Sequence, residues 1–350
     1  MALARGSLGR YRCGVAADRD SDAGQLRVPM LVLTGFLGAG KTTALNRVLG
    51  ALRPGGRRVA LLVNDLGRVN VDAGLLASRG SDLIELSGGC VCCKVDLQVD
   101  LWRGIHDLIA RTRPDHVVLE TTGIAEPAAL LEGLGTPGNA GLTPAGVVTV
   151  VDAEVGAHLL ETRAEARAQA EVADRVLLSK LDLAAPEAAL ATRRALAAAA
   201  PEAELAAFAP GVAGDVALAA WLLAERPLVG AAAAAFARGE GAPPVRPARA
   251  HAHRHGQLGV LTWRAAAPML EAALREVLDA QGPRLLRAKG QVWLAGAAGP
   301  HLLQRAGART ELVASGAWAG PPRTELVLIG DDLDEAALER ALWACTTRPG

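Results

Sequence analysis

No run of 18 or more residues in this chain is apolar without a charge or a helix breaker, so nothing in it reads as a membrane-spanning helix. Net charge is missing as well. The 37 basic and 37 acidic side chains cancel, which argues against broad, salt-sensitive attachment to nucleic acid or to an anionic membrane surface. Cysteine is scarce: five among 350 residues, an odd number and mostly clustered, which does not make a disulfide framework. Residues 1–28 lack the apolar core of a signal peptide and mix Arg, Asp, Gly and Ser. They read as a flexible tail, and the chain is expected to be cytoplasmic. No internal repeat is visible. Lysine is the rarest charge, since only Lys41, Lys94, Lys180 and Lys289 appear among the 37 basic residues. A chain that otherwise uses arginine marks those four as places that need a compact ammonium.

What is present is a repeating apolar pattern. "MLVLT" (30–34), "RVALLVN" (58–64), "DLIEL" (82–86), "HVVLE" (116–120), "GVVTVVD" (146–152) and "RVLLS" (175–179) are continuous apolar runs, mostly separated by helix-length segments. Strands buried on both faces between helices predict an α/β fold, a doubly wound and mostly parallel sheet. "AELAAF" (203–208) is a candidate for one more strand. From 226 to 256 the pattern gives way to Ala, Gly, Pro and Arg and ends in "HAHRHG", the composition of a linker. Beyond it, "QLGVLTW", a helix near 267–280, "LLRAKGQVWLA", "ELVASGAW", "TELVLIG" and a helix over about 332–344 predict a smaller α+β domain. The expected organisation is therefore a tail (1–28), a nucleotide-binding domain (29–225), a linker (226–256) and a second domain (257–346).

The strand at 30–34 runs into "GFLGAGKT" (35–42) and then a helix, the context that the phosphate-binding P-loop requires. Gly35, Gly38 and Gly40, with Ala39 between the last two, let backbone N–H groups converge on phosphate oxygens. Lys41 offers a point charge to the β and γ phosphates, and Thr42, followed by Thr43, offers a hydroxyl to Mg²⁺ at a helix N-terminus. "ETTG" (120–123) ends the fourth run, at the sheet edge where ligands of open α/β folds bind. There Glu120 can hold the Mg²⁺ water shell and the Gly123 amide can sense a γ-phosphate. "SKLD" (179–182) resembles the guanine-reading N-K-x-D. Asp182 would accept from guanine N1–H and N2–H₂, with the Lys180 stem against the nucleotide. Adenine cannot donate to Asp182 in that way, so GTP is expected over ATP. Ser179 stands where the pattern has Asn. Its shorter hydroxyl is expected to fall short of serving both the base and the P-loop, with reduced guanine affinity. Lys41, Thr42 and Glu120 are the expected catalytic residues. No residue offers itself as a general base, so water positioning and charge stabilisation should dominate.

"GGCVCCK" (88–94) places Cys90, Cys92 and Cys93 after the third run and before an amphipathic helix near Val95–Arg111. The helix N-terminus and Lys94 both favour thiolate, the form that binds soft and borderline metals. Three readings stand: packing cysteines, a Cys90–Cys93 redox pair, and a metal site. The first is disfavoured by clustering beside glycine and lysine. Metal binding leads, since three thiolates leave a fourth tetrahedral position open for transfer. His251, His253 and His255 alternate in the expected linker, either as a weak metal antechamber or as solvated loop. His106, His116, His158, His301, Cys13 and Cys345 are single and read as structural.

Taken together, "GFLGAGKTT", "VNDLG" (63–67), "GGCVCC", "ETTG-x-A-E-P" (120–127), "VVTVVDA" (147–153) and "SKLD" resemble, in order and spacing, the CobW family of GTP-dependent metal chaperones. "LLRAKG" (285–290), with Lys289, resembles a motif of that family's C-terminal domain. The resemblance implies a GTPase that binds Zn²⁺ or Co²⁺ on Cys90, Cys92 and Cys93 and passes it to a client metalloprotein, coupled to hydrolysis of GTP to GDP. Asp65 matches the acidic residue of the family's N-[ED]-F-G stretch and is a candidate metal ligand. The family's neighbouring carboxylates are replaced here by Val63 and Arg68, and its Phe by Leu66, so the fourth metal ligand is unassigned. A homodimer remains open. The rival readings are a metal buffer or sensor with little nucleotide coupling, and a thiol-redox-regulated GTPase.

Overall fold

The computed structural model describes residues 27–52, 58–65, 83–87, 95–207, 214–240, 258–318 and 320–347, and describes no side chains for 63–65, 83–87, 95–100 and 258. The first domain is a seven-stranded sheet in the order β3-β2-β4-β1-β5-β6-β7. Its strands are β1 (Val28–Thr34), β2 (Val59–Asp65), β3 (Leu83–Ser87), β4 (His116–Glu120), β5 (Leu142–Asp152), β6 (Arg175–Ser179) and β7 (Glu204–Ala207). Every pairing between them is parallel, as the unbroken apolar runs predict. Between the strands lie α1 (Lys41–Ala51), α2 (Val95–Thr112), α3 (Pro127–Gly135), α4 (Gly156–Thr162), α5 (Ala164–Glu171) and α6 (Pro186–Ala199), and α7 (Asp215–Leu222) follows the last of them.

Both faces of β1 are covered. Leu31 and Leu33 pack with Leu45 and Val48 of α1 and with Leu218 and Leu222 of α7. Met30, one position before Leu31, points the other way into a cluster with Leu101, Ile105 and Leu108 of α2. Each buried Leu or Ile contributes roughly 1.5–3 kcal/mol relative to exposure. This two-sided burial holds the sheet between helices and leaves its carboxyl edge open for a site. Among the described residues no helix is long and apolar enough to cross a membrane.

The stretch expected to be a linker from residue 226 contains a helix, α8 (Gly230–Glu240), packed along α3. Its run of alanines reads as low complexity, yet alanine is the strongest helix former. Two glycines make the close approach workable: a Cβ on Gly135 would collide with the Phe236 carbonyl, and one on Gly239 with the Glu132 carbonyl. Ala232 and Ala235 are fully buried as a result. The remainder of that stretch, 241–256, lies outside the described residues.

The second domain is a five-stranded sheet in the order β11-β10-β9-β12-β8, with β8 (Leu258–Ala265), β9 (Leu285–Val292), β10 (His301–Ala306), β11 (Arg309–Ala314) and β12 (Thr324–Asp331). All four pairings are antiparallel. One face carries α9 (Glu271–Ala280) and α10 (Glu335–Ala344) over a core that includes Trp263, Leu274, Leu285, Leu303, Leu328 and Leu342. The opposite face meets the first domain. There Leu286, Val327 and Ile329 pack on Phe36, Leu37 and Ile124. Ion pairs Arg163–Asp331 and Arg309–Glu154 (3.2 Å) flank the contact.

Candidate functional site

β1 lies between β4 and β5, so the chain crosses to opposite sides of the sheet from this point, the position at which open α/β sheets bind ligands. Register fixes what meets at the carboxyl edge: Leu33 lies opposite Glu120, Thr34 opposite Thr149, and Asp152 opposite Ser179. The loop after β1 therefore faces the ends of β4 and β6 directly.

The loop is built for anions. Gly35, Gly38 and Gly40 have φ of 139°, 75° and 97°, a region that a Cβ disfavours. Gly40 is the N-cap of α1 and has no side-chain cap, so the first amides of the helix face the loop with the positive end of its dipole. Lys41, 6% exposed, donates from Nζ to the Gly35 and Phe36 carbonyls at 2.6 and 3.3 Å. The ammonium is thus held across the mouth of the loop. Gly123 lies behind the loop, where a Cβ would strike Leu37. Thr121 Oγ1 donates to Thr34 Oγ1 at 2.8 Å and ties the "ETTG" turn to β1.

Thr42 Oγ1 donates to Glu120 Oε1 at 2.8 Å, and Glu120 is 4% exposed. A hydroxyl and a buried carboxylate side by side are the hard oxygen donors that Mg²⁺ prefers, so these two residues fit the ion and would hold it. On the other flank, Ser179 Oγ donates to the Ala39 carbonyl at 2.6 Å. The hydroxyl therefore reaches the P-loop, because β6 ends close to it; the expectation that it falls short of serving the base as well stands. Lys180 takes a left-handed backbone, φ 55°, and its Nζ pairs with Asp152 Oδ2 at 2.7 Å. That pair fixes the turn carrying Asp182.

These elements surround one cavity of about 450 Å³, lined by Gly38, Gly40, Lys41, Thr42, Thr43, Glu120, Ser179, Lys180 and Asp182 among the expected residues. Gly35, Ala39 and Gly123 support it from behind through the contacts above. Sequence reasoning overlooks Asn46, Arg47 and Asp152, and it misses the roof. Arg287, Lys289, Gln304, Ala306, Arg309 and Glu311 of the second domain close the cavity from above. The approach is tight, since a Cβ on Gly38 would lie 2.5 Å from Ala306 Cβ. The signals for this roof in the sequence are the rarity of lysine and the "LLRAKG" motif, which point to Lys289 without saying where it goes.

Cys90, Cys92 and Cys93 lie outside the described residues, as do His251, His253 and His255 and the side chain of Asp65. The backbone bracketing the thiols is described: β3 ends at Ser87 opposite Asp65, on the phosphate-facing edge, and α2 begins at Val95. Among the described residues no three His, Cys, Asp or Glu side chains gather to hold a metal ion. His106 bonds Asn139 at 2.8 Å and His116 is buried in β4, both structural roles as expected.

Comparison with known proteins gives two family matches. Residues 29–206 match the CobW/HypB/UreG nucleotide-binding domain, and residues 258–346 match the cobalamin synthesis protein cobW C-terminal domain. A zinc chaperone CobW from Sinorhizobium sp is 40% identical over 138 residues, 37% of this chain and 38% of that protein. The zinc chaperone YjiA of Escherichia coli is 32% identical over 166 residues, 45% of this chain and 50% of that protein. The matched region thus spans half or less of these relatives' length. Among solved structures, the Zn(II)-bound YjiA GTPase from E. coli is similar over 92% of this chain and 99% of that one, at 22% identity and a TM-score of 0.40.

Proposed function

Because the chain belongs to the CobW/HypB/UreG family and carries a CobW C-terminal domain, we propose that it is a GTP-hydrolysing metal chaperone whose cargo is a transition metal, zinc first, bound for a client metalloprotein. The observation that carries this reading is the single cavity in which Lys41, Thr42 and Glu120 converge with Ser179, Lys180 and Asp182. In this reading the P-loop amides and Lys41 take the phosphates. Asp182 accepts from guanine N1–H and N2–H₂, on a turn held by the Lys180–Asp152 pair. Mg²⁺, when bound, offsets charge on the phosphate oxygens. No acid or base is needed beyond positioning: water attacks the γ-phosphorus in line, and the leaving GDP oxygen keeps the bond's electron pair.

Cys90, Cys92 and Cys93 hold the cargo in this account. They follow the end of β3, on the edge that carries the phosphate site, and relatives of this chain are named zinc chaperones. Segments that answer to the γ-phosphate would then pass its loss to the thiols. His251, His253 and His255 serve as a weak collecting site. The test is a pair of titrations on the full chain. Guanine nucleotide should bind at least about tenfold more tightly than adenine nucleotide, a difference of about 1.4 kcal/mol. One Zn²⁺ should bind per chain and be lost in the Cys90→Ser/Cys92→Ser/Cys93→Ser variant. Equal affinity for GTP and ATP removes the guanine assignment, and undiminished Zn²⁺ binding in the variant removes the thiol site.

A further inference from the structure

The face of the second sheet over the P-loop changes character along its length. Its apolar end, Leu286, Val327 and Ile329, is the docking contact already described. Strand register puts a polar set on the same face. Lys289 lies opposite Val327 and Gln304, Arg287 opposite Ile329 and Ala306, Gln304 opposite Glu311, and Ala306 opposite Arg309. All six of the residues Arg287, Lys289, Gln304, Ala306, Arg309 and Glu311 line the nucleotide cavity. Of the seven basic residues that line this cavity, Arg47, Lys180, Arg305 and Arg309 pair with Asp215, Asp152, Asp279 and Glu154, so the count of cations alone does not carry the assignment.

The choice of residue narrows the assignment. Only four lysines occur among 37 basic residues, and three of them, Lys41, Lys180 and Lys289, line this one cavity. Lys289 is only 6% exposed. It sits in mid-strand on β9, held between β10 and β12, so its ammonium is carried by a rigid element. An ammonium is a compact point charge, suited to phosphate oxygens rather than to the flat, forked pairing of arginine.

We propose that Lys289 is a catalytic residue supplied by the second domain, with Arg287 assisting it in binding phosphate. Lys289 reaches the γ-phosphoryl oxygens and stabilises the charge spread over them in the transition state, while the bond from the bridging oxygen to the γ-phosphorus breaks and its electron pair goes to that oxygen. A water oxygen forms the new bond to phosphorus, GDP leaves with the electron pair of the broken one, and the water proton passes to phosphate or solvent. The second domain thus provides in cis the cation that other GTPases receive from an arginine finger. This assignment rests on the GTPase reading above. It also makes the second sheet a lid on the nucleotide, because the roof residues lie over the phosphate loop.

The test uses the full chain with Lys289→Ala, Lys289→Arg and Arg287→Ala. Single-turnover hydrolysis with enzyme in excess is measured beside the affinities for GDP and for a non-hydrolysable GTP analogue. Lys289→Ala should slow hydrolysis on the order of 10²–10³-fold, the usual loss for one charge-stabilising donor. It should weaken the GTP analogue more than GDP, while Lys289→Arg keeps the rate within about tenfold of the parent. Arg287→Ala should weaken both nucleotides with a smaller loss of rate. A Lys289→Ala chain that hydrolyses GTP within about threefold of the parent overturns the assignment. So does an equal loss of GDP and analogue binding, with lowered melting, in both Lys289 variants, which marks a structural role. A parent chain that binds no guanine nucleotide overturns the GTPase reading itself, and this assignment with it.

Discussion

Replacing Gly38 with alanine puts the docked arrangement of the two domains to a quantitative test. Gly38 has φ 75°, and a Cβ there would lie 2.5 Å from Ala306 Cβ. Two costs follow. A residue with a Cβ in the left-handed region costs about 1–2 kcal/mol. Ordinary contact between carbons needs ~3.5–4.0 Å, so β10 must retreat by roughly 1 Å, an overpacking worth about 1–3 kcal/mol. Gly38→Ala should therefore lower stability by about 2–5 kcal/mol, combining the two terms. Ala306→Gly removes the steric part and leaves the backbone part. In the Gly38→Ala background it should recover about 1–3 kcal/mol, whereas alone it should cost no more than about 1 kcal/mol at the end of a strand. Urea unfolding of the four chains, followed by tryptophan fluorescence, closes the cycle. Additive effects within about 0.5 kcal/mol would mean that Ala306 does not sit on the P-loop, and the roofed cavity would fall with it.

Two further outcomes follow from buried groups. Arg175, fully buried, donates to Asp174 at 3.0 Å and to the Trp221 and Leu222 carbonyls that end α7. Burial pushes the Asp174 carboxyl up, against the Val147 amide and Arg175, which pull it down. Asp174→Ala strands the guanidinium and should cost about 3–5 kcal/mol in chemical denaturation, and a loss under about 1 kcal/mol would show the pair to be dispensable. Burial, with Glu276 nearby, raises the Cys345 thiol above its ordinary value. Native protein at pH 8 should leave Cys345 unalkylated, and Zn²⁺ should protect three of the four remaining thiols. Mass-mapped labelling of Cys345 in the native state, or Zn²⁺ protecting none, would contradict this.

Most of the first domain is legible from local pattern, because burial on both faces makes each parallel strand a continuous apolar run and the P-loop needs glycine at fixed positions. The helix Gly230–Glu240 escapes because its packing relies on smallness rather than on greasy side chains. The strand His301–Ala306 escapes for a different reason. Arg305 sits on its core face, buried and bonded to Asp279 and Thr310, which breaks the apolar alternation a strand should show. Within the site, residues local to a motif are found and residues brought by docking are not. Lys289, Arg287 and Arg309 reach the cavity only because one sheet packs on the loop of another, and sequence spacing carries no trace of that contact. Asp152 ends a readable strand, yet its role depends on the left-handed turn at Lys180.

The central claim is that nucleotide and metal are linked through one chain, and one titration tests it most directly. Zn²⁺ affinity is measured for the full chain with no nucleotide, with GDP and Mg²⁺, and with a non-hydrolysable GTP analogue and Mg²⁺. Coupling predicts that affinity with the GTP analogue differs from that with GDP by roughly 5–150-fold, with the same factor returned in nucleotide affinity when Zn²⁺ is present. One Zn²⁺ affinity across all three conditions would contradict it and leave a metal buffer that binds nucleotide to no purpose.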